Sequence, residues 1–192
     1  MKKLIQILLL SFMPSLCVAA TPFHIGLLGY VGSASVSRDS VSKAEGPLAF
    51  AVQFDVDVKA KWTFGAEHLR SLSLSPMGTS VSTTSFVGKW YFVSAVPQTV
   101  DPKLPRGRIS IYEDGYFPYL GMAAGFSQAS IDNTDPLKRI VAGGVSIGFK
   151  GGFDVPVFTT MMARAELNYG MMALGTGSIS SFALGGGLVW MF

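Results

Sequence analysis

Hydrophobic and polar residues alternate along most of the chain with a period of two, as in a β-strand whose successive side chains face opposite ways. From Leu48 to Lys59 one face carries Leu48, Phe50, Val52, Phe54, Val56 and Val58. The other carries Ala49, Ala51, Gln53, Asp55, Asp57 and Lys59. The last segment sets Phe182, Leu184, Gly186, Leu188, Trp190 and Phe192 against Ser181, Ala183, Gly185, Gly187, Val189 and Met191. From Val157 to Gly170 an apolar face (Val157, Thr159, Met161, Ala163, Ala165, Leu167, Tyr169) lies opposite Arg164, Glu166 and Asn168. Segments near 23–35, 62–74, 83–95, 116–127 and 139–149 bring the predicted strands to eight. Glu67, His68 and Arg70 make 62–74 the least regular. Turn-rich stretches at Arg38–Gly46, Pro76–Ser82, Ile131–Pro136 and Leu174–Ser180 fall between strands.

Alternation suits both a soluble sandwich, apolar side inward, and a membrane barrel, apolar side outward. Aromatic placement separates them. With the N-terminus in the periplasm and the strands running up and down in order, Trp62, Trp90 and Trp190 fall at the periplasmic level. Phe23, Phe117, Tyr119 and Phe149 join them, while Tyr30, Phe50, Phe86, Phe126, Tyr169 and Phe182 fall at the opposite rim. Two aromatic belts are what amphipathic rings at two membrane interfaces produce. Phe182 and Trp190 are separated by about 20 Å along a tilted strand, close to the ~25 Å apolar band of such barrels. The expected fold is all-β: an eight-stranded antiparallel up-and-down transmembrane β-barrel over residues 21–192. Closure gives every backbone amide within the hydrocarbon a partner.

The first twenty residues read differently. Lys2 and Lys3 precede an apolar run, and Val18-Ala19-Ala20 closes it with small residues, the pattern of a cleaved signal peptide over 1–20. Leu16 before Cys17 argues against a lipoprotein. Cleavage after Ala20 removes the only cysteine and two basic residues, so the +3 formal charge belongs largely to the leader. What remains has no basic footprint for nucleic acid. With 49 % hydrophobic and 14 % charged residues the chain is not disordered. No apolar run approaches the ~18–20 residues of a spanning helix. Two distant histidines give no sensible metal spacing, and neither metal nor cofactor is expected.

The terminal Leu188-Val189-Trp190-Met191-Phe192 resembles the C-terminal signal by which the assembly machinery of Gram-negative bacteria recognises outer-membrane barrels, with Leu188, Trp190 and Phe192 on one face. Lys89-Trp90-Tyr91-Phe92, followed by Pro118-Tyr119-Leu120-Gly121, resembles the small OmpW/OmpX-type outer-membrane β-barrel family. The resemblance implies a monomer in the outer membrane, in contact with its lipid and lipopolysaccharide. It further implies either passage of a small hydrophobic solute or a structural and surface-interaction role. One departure is the connection near 96–115, long for a periplasmic turn; it is either an insertion or a sign that the strand count is off by one.

Gln53, Asp55, Asp57, Glu67, Lys89, Arg164, Glu166 and Asn168 fall on the lumen faces of the expected barrel. An eight-stranded barrel is only wide enough to be filled by side chains, so these groups are expected to pair as a polar plug rather than to line an open pore. A lipid A-modifying enzyme is the alternative, requiring a serine activated by histidine. Neither His24 nor His68 is followed by the His-x-Ser pattern, and Ser71, three residues from His68, lies on the opposite strand face. No catalytic role is therefore expected. Arg38, Lys43 and Arg70, at or above the outer rim, suit either lipopolysaccharide phosphates or ordinary solvation. A soluble lipocalin-like binding barrel is a further alternative, but its cup would be apolar, unlike the faces bearing Asp55, Asp57, Arg164 and Glu166.

Overall fold

A computed structural model describes residues 23–38, 41–45, 48–59, 61–72, 79–93, 115–131, 140–158, 160–174 and 177–192. The expected signal peptide over 1–20, with Cys17, and nearly all of the 96–115 connection lie outside the described residues, as do the side chains of Arg38 and Lys43. Among the described residues nine strands run in chain order: β1 Phe23–Arg38, β2 Val41–Glu45, β3 Leu48–Lys59, β4 Trp62–Leu72, β5 Thr79–Tyr91, β6 Phe117–Ile131, β7 Ile140–Phe158, β8 Met161–Leu174 and β9 Gly177–Met191. β1 pairs antiparallel with both β2 and β3, β3 to β9 pair antiparallel in chain order, and β1 pairs with β9 to close the sheet.

Nine elements make eight walls. β2 meets β1 in the same register as β3, with Ala34 opposite Glu45 and Val31 opposite Leu48, so β2 and β3 occupy one position. Between them the sequence is Gly46-Pro47, and proline has no amide hydrogen for a ladder. The ladder therefore continues to Arg38 opposite Val41, through a stretch the turn-forming residues had marked as a loop. Following paired residues once round, from Phe23 through Val56, Phe64, Gly88, Met122, Phe149, Tyr169 and Phe182, returns to Ser33. That stagger of ten residues over eight walls tilts the strands by about 40°.

The polarity is inverted relative to a soluble protein. Phe54 is 45 % exposed on the outer wall, whereas Asp55 beside it is 2 % exposed inside. Phe50, Phe64, Leu120, Met122, Ile147, Leu167, Leu184 and Leu188 face out, and Lys89, Arg164, Asp154 and Glu166 face in.

We call the end bearing Phe23 and Phe192, whose backbones exchange hydrogen bonds of 3.0 and 3.3 Å, the lower end. Its outer wall carries two aromatic runs. Phe54, Phe23 and Phe192 form one, with ring centroids 5.7 and 5.1 Å apart, and Phe64, Trp62, Trp90 and Phe92 form the other. Trp190 lies at the same level, opposite Ile25. Phe50, Phe86, Phe126, Tyr169 and Phe182 project higher on the wall.

Four ring placements differ from expectation. Tyr30, Tyr119 and Phe117, assigned to the belts, point into the lumen and are buried. Parity decides this: Tyr119 and Phe117 share a face with buried Ala123, and Tyr30 with His24 and Leu28. Phe149 also leaves the lower belt, because it pairs with Tyr169, higher on the wall. Its displacement follows from the length of β7, which runs on to Phe158 instead of ending near 149. Gly151, Gly152 and Pro156 read as turn formers, yet they lie inside the strand, with a register irregularity only after Pro156. The strand expected to start at Val157 consequently starts at Met161. At the upper end β5 and β9 begin at Thr79 and Gly177, within stretches read as turns.

Candidate functional site

The lower half of the lumen is crossed by one continuous hydrogen-bonded network. Arg164 on β8 is its centre. Its Nε and Nη2 donate to Asp154 Oδ1 and Oδ2 on β7 at 2.7 and 2.8 Å, a two-pronged pair that fits the planar fork of a guanidinium. Its Nη1 reaches Gln53 Oε1 at 2.5 Å and Asp55 Oδ2 at 3.2 Å on β3. Lys89 on β5 donates to the same Asp55 oxygen at 2.5 Å and to Gln53 Oε1 at 3.1 Å. Tyr91 donates to Asp154 Oδ2 at 2.8 Å and accepts from Arg164.

A second knot sits just above. Lys150 on β7 bridges Glu67 on β4 and Glu166 on β8, at 2.9 and 2.7 Å. Both oxygens of Glu166 also accept from tyrosines, Tyr30 on β1 and Tyr119 on β6, each at 2.6 Å. Gln53 donates to Glu67, joining this knot to the first. Arg164 and Lys89 further lie over the Tyr119 ring, 5.3 and 5.6 Å from its centroid.

Every wall but one contributes a polar group, and β9 contributes space. Its inward residues here are Gly185 and Gly187. A Cβ on Gly185 would sit 2.2 Å from the Tyr30 ring, and one on Gly152 would sit 2.7 Å from the Tyr119 hydroxyl. Each tyrosine therefore lies across a glycine directly opposite it in register, Tyr30 on Gly185 and Tyr119 on Gly152. The missing side chains let both rings lean towards Glu166.

Beneath the network the lumen is closed by apolar contacts, Tyr91 with Phe117 and Tyr119, and Met162 with Val189 and Met191. His24 belongs to this level: its Nε2 lies 3.3 Å from Asp57 Oδ2, and both residues are buried. Above the network a chamber of about 120 Å³ remains, floored by Tyr30, Glu67, Lys150 and Asn168 and walled by apolar residues such as Leu69 together with small and hydroxyl-bearing ones. Ala129, Met172 and Ile179, with Val81 against them, narrow its upper end.

Of the residues singled out in the sequence, Gln53, Asp55, Glu67, Lys89, Arg164 and Glu166 meet in the network. Asp57 pairs with His24 below it, and Asn168 lines the chamber. Lys150, Asp154 and Tyr91 were not singled out. The first two lie in the part of β7 that falls between the expected strands 139–149 and 157–170. Tyr91 shares the parity of Lys89, two residues away, and that parity was the signal available.

The enzyme alternative finds little geometry. His68 projects from the outer wall, with Nδ1 2.9 Å from Thr84 Oγ1, whereas Ser71 faces inward and bonds to the backbone of Val81. His24 has Asp57 beside it but is enclosed within the lumen. Among the described residues no group of three or more metal-ligating side chains occurs.

No family model and no curated protein sequence matches the chain. Solved structures do match. Neisserial surface protein A covers 88 % of this chain and 97 % of its own, at 14 % identity and a TM-score of 0.67. Ail, the attachment invasion locus protein of Yersinia pestis, covers 90 % and 100 % at 14 % identity and 0.52. OprG of Pseudomonas aeruginosa, described as an outer membrane protein, covers 90 % and 96 % at 12 % identity and 0.52. The chain has the closed, all-β, eight-stranded fold of the small outer-membrane barrels.

Proposed function

We propose that the protein is a non-enzymatic integral barrel of the Gram-negative outer membrane, serving a structural and surface-interaction role and not forming an open channel. The network of Arg164, Asp154, Asp55, Lys89, Lys150 and Glu166 carries this reading. It spans the lumen with side chains that already hold one another, and it rests on an apolar floor. Ionised groups buried without partners cost several kcal/mol each, so such a plug is stable only while it stays assembled. A small apolar solute entering from the upper end would pass Met172, Ile179, Val81 and Leu69 and then meet the buried ions of the plug, which disfavours passage through the lumen. An OmpW/OmpX-type kinship rests on the resemblance of the Pro118-Tyr119-Leu120-Gly121 strand start. Leu188, Trp190 and Phe192 share the outer face of β9, as an assembly signal requires, and the apolar wall suits contact with lipid and lipopolysaccharide.

The test is single-channel recording of the refolded protein in a planar bilayer. The expected trace is free of conductance steps; reproducible open-channel steps overturn the reading. An altered lipid A mass spectrum in cells expressing the protein would restore the enzyme alternative.

A further inference from the structure

The outer wall is not apolar to the same height all the way round. Once the stagger of the strands is allowed for, Val31 on β1, Ile147 on β7, Met171 on β8 and Phe182 on β9 stand at least as high as His68 on β4 and Thr84 on β5. All four are exposed and apolar. On β4 and β5 the outward residues at and above that level are instead His68, Arg70, Thr84 and Ser82. The lipid-facing band is therefore notched on one flank, and the notch is polar.

These residues form one cluster. His68 Nδ1 lies 2.9 Å from Thr84 Oγ1, and its Nε2 lies 3.4 Å from Ser82 Oγ. Ser82 stands directly opposite Arg70 on one side and Gln128 of β6 on the other. Side chains paired in this way leave the backbone about 5 Å apart, so guanidinium, amide and hydroxyl all reach one group resting over Ser82. Asp55, Asp57, Glu67, Asp154 and Glu166 all face the lumen, and none of them serves Arg70 as a counter-charge. A cation on the lipid side of a barrel costs free energy that grows with depth; an anion beside it offsets that cost.

A second observation concerns what borders the notch. Phe86 and Phe126 are 81 % and 75 % exposed, the highest values among the described large hydrophobic residues. Phe86 follows Thr84 on the same face of β5, nearer the lower end, and Phe126 stands opposite Thr84 on β6. Phe50 stands opposite Arg70. A cationic, hydroxyl-bearing patch thus sits among protruding rings, the complement of a molecule with an anionic head and hydrocarbon chains.

We propose that this flank of β4, β5 and β6 is a docking site for lipid A, the acylated and phosphorylated glucosamine disaccharide of the outer leaflet. Arg70 holds a phosphate through its planar fork, Ser82 and Gln128 add hydrogen bonds, and Phe86 and Phe126 lie against the first methylenes of the acyl chains. The inference deepens the surface-interaction reading and rests on the outer-membrane placement of the barrel. Its test counts bound lipid, so it fails or succeeds separately from the bilayer recording.

The refolded full barrel in detergent micelles is titrated with bisphosphorylated lipid A, with the same lipid stripped of phosphate, and with phosphatidylglycerol as a second anionic lipid. Bound lipid is counted by native mass spectrometry, and the gel shift of the folded band checks each variant. The expected result is a saturable one-to-one adduct with the bisphosphorylated lipid and much weaker binding of the other two. Arg70→Gln should weaken that adduct about tenfold, the loss of one charge-assisted contact. Arg70→Lys, which keeps the charge but not the fork, should fall between. Phe86→Ala should weaken the adduct without altering the preference for phosphate. Absence of an adduct overturns the inference and leaves the notch to a protein partner. Equal binding by Arg70→Gln, or equal binding of phosphatidylglycerol, also overturns it. Displacement of the lipid by inorganic phosphate overturns it as well, because the site would then be one for the free anion.

Discussion

The two halves of the lumen solve one problem in opposite ways. The lower half fills the barrel with long charged and phenolic side chains that satisfy one another. The upper half leaves it partly empty and lines it with serine, threonine, alanine and glycine interspersed with Leu69, Val81, Met172 and Ile179. The walls themselves are continuous through both halves, so the contrast lies in the inward side chains. A hydrogen-bonded backbone cylinder tolerates either filling, but only the lower one makes distant strands depend on each other. Glu166 on β8 touches residues of β1, β6 and β7 at once, whereas Ser146 touches no polar partner.

Substitutions should therefore be costly below and mild above. The largest effect is expected for Arg164→Met, which leaves Asp154 without its cation, held by the Tyr91 hydroxyl, and leaves Asp55 with Lys89 alone. Breaking a buried ion pair by removing one partner costs about 3–5 kcal/mol, and urea unfolding followed by tryptophan fluorescence would measure it. A loss below 1 kcal/mol would mean that water already reaches the plug, and the contrast between the halves would disappear. Tyr119→Phe removes one hydrogen bond to a carboxylate, with an expected loss of about 1.5–3 kcal/mol in the same assay.

Gly185→Ala tests the shape of the lower half without touching charge. Its new Cβ would lie 2.2 Å from the Tyr30 ring. Forcing a methyl into a packed site costs about 1–3 kcal/mol. Combined with Tyr30→Ala, the same substitution should cost markedly less than the sum of the single changes, since the ring that it strikes is gone. Additive losses would show that the glycine matters for the backbone and not for the ring. The smallest effect is expected for Ser85→Ala in the chamber wall, where loss of a hydroxyl should change stability by less than about 1 kcal/mol.

Much of this was legible from alternation. Once Phe54 and Asp55 are assigned to opposite faces, period two places Gln53, Asp57, Lys89, Arg164 and Glu166 without further help. Three kinds of information were not available in the same way. Gly151, Gly152 and Pro156 carry the local signature of a turn, and only the partner strands hold them extended, so Lys150 and Asp154 remained hidden. Tyrosine suits both an interface and a polar interior, so Tyr30 and Tyr119 could be placed only by strand parity. The need for glycine at 185 and 152 depends on what lies across the ladder, a relation between residues far apart in sequence. Serine-rich strand tops such as Thr79–Ser82 and Gly177–Ser180 resemble loops in composition, yet they extend the ladder.

The seam between β1 and β9 has a consequence for how the molecule is made. Tyr30 and Gly185 come together only when the first and last strands zip, and until then the phenol cannot rest across β9 on its way to Glu166. A nascent, unsealed sheet must keep its carboxylates and cations hydrated on the face that will become the inside. Water leaves that face as the two chain ends join, which couples drying of the interior to the final act of assembly.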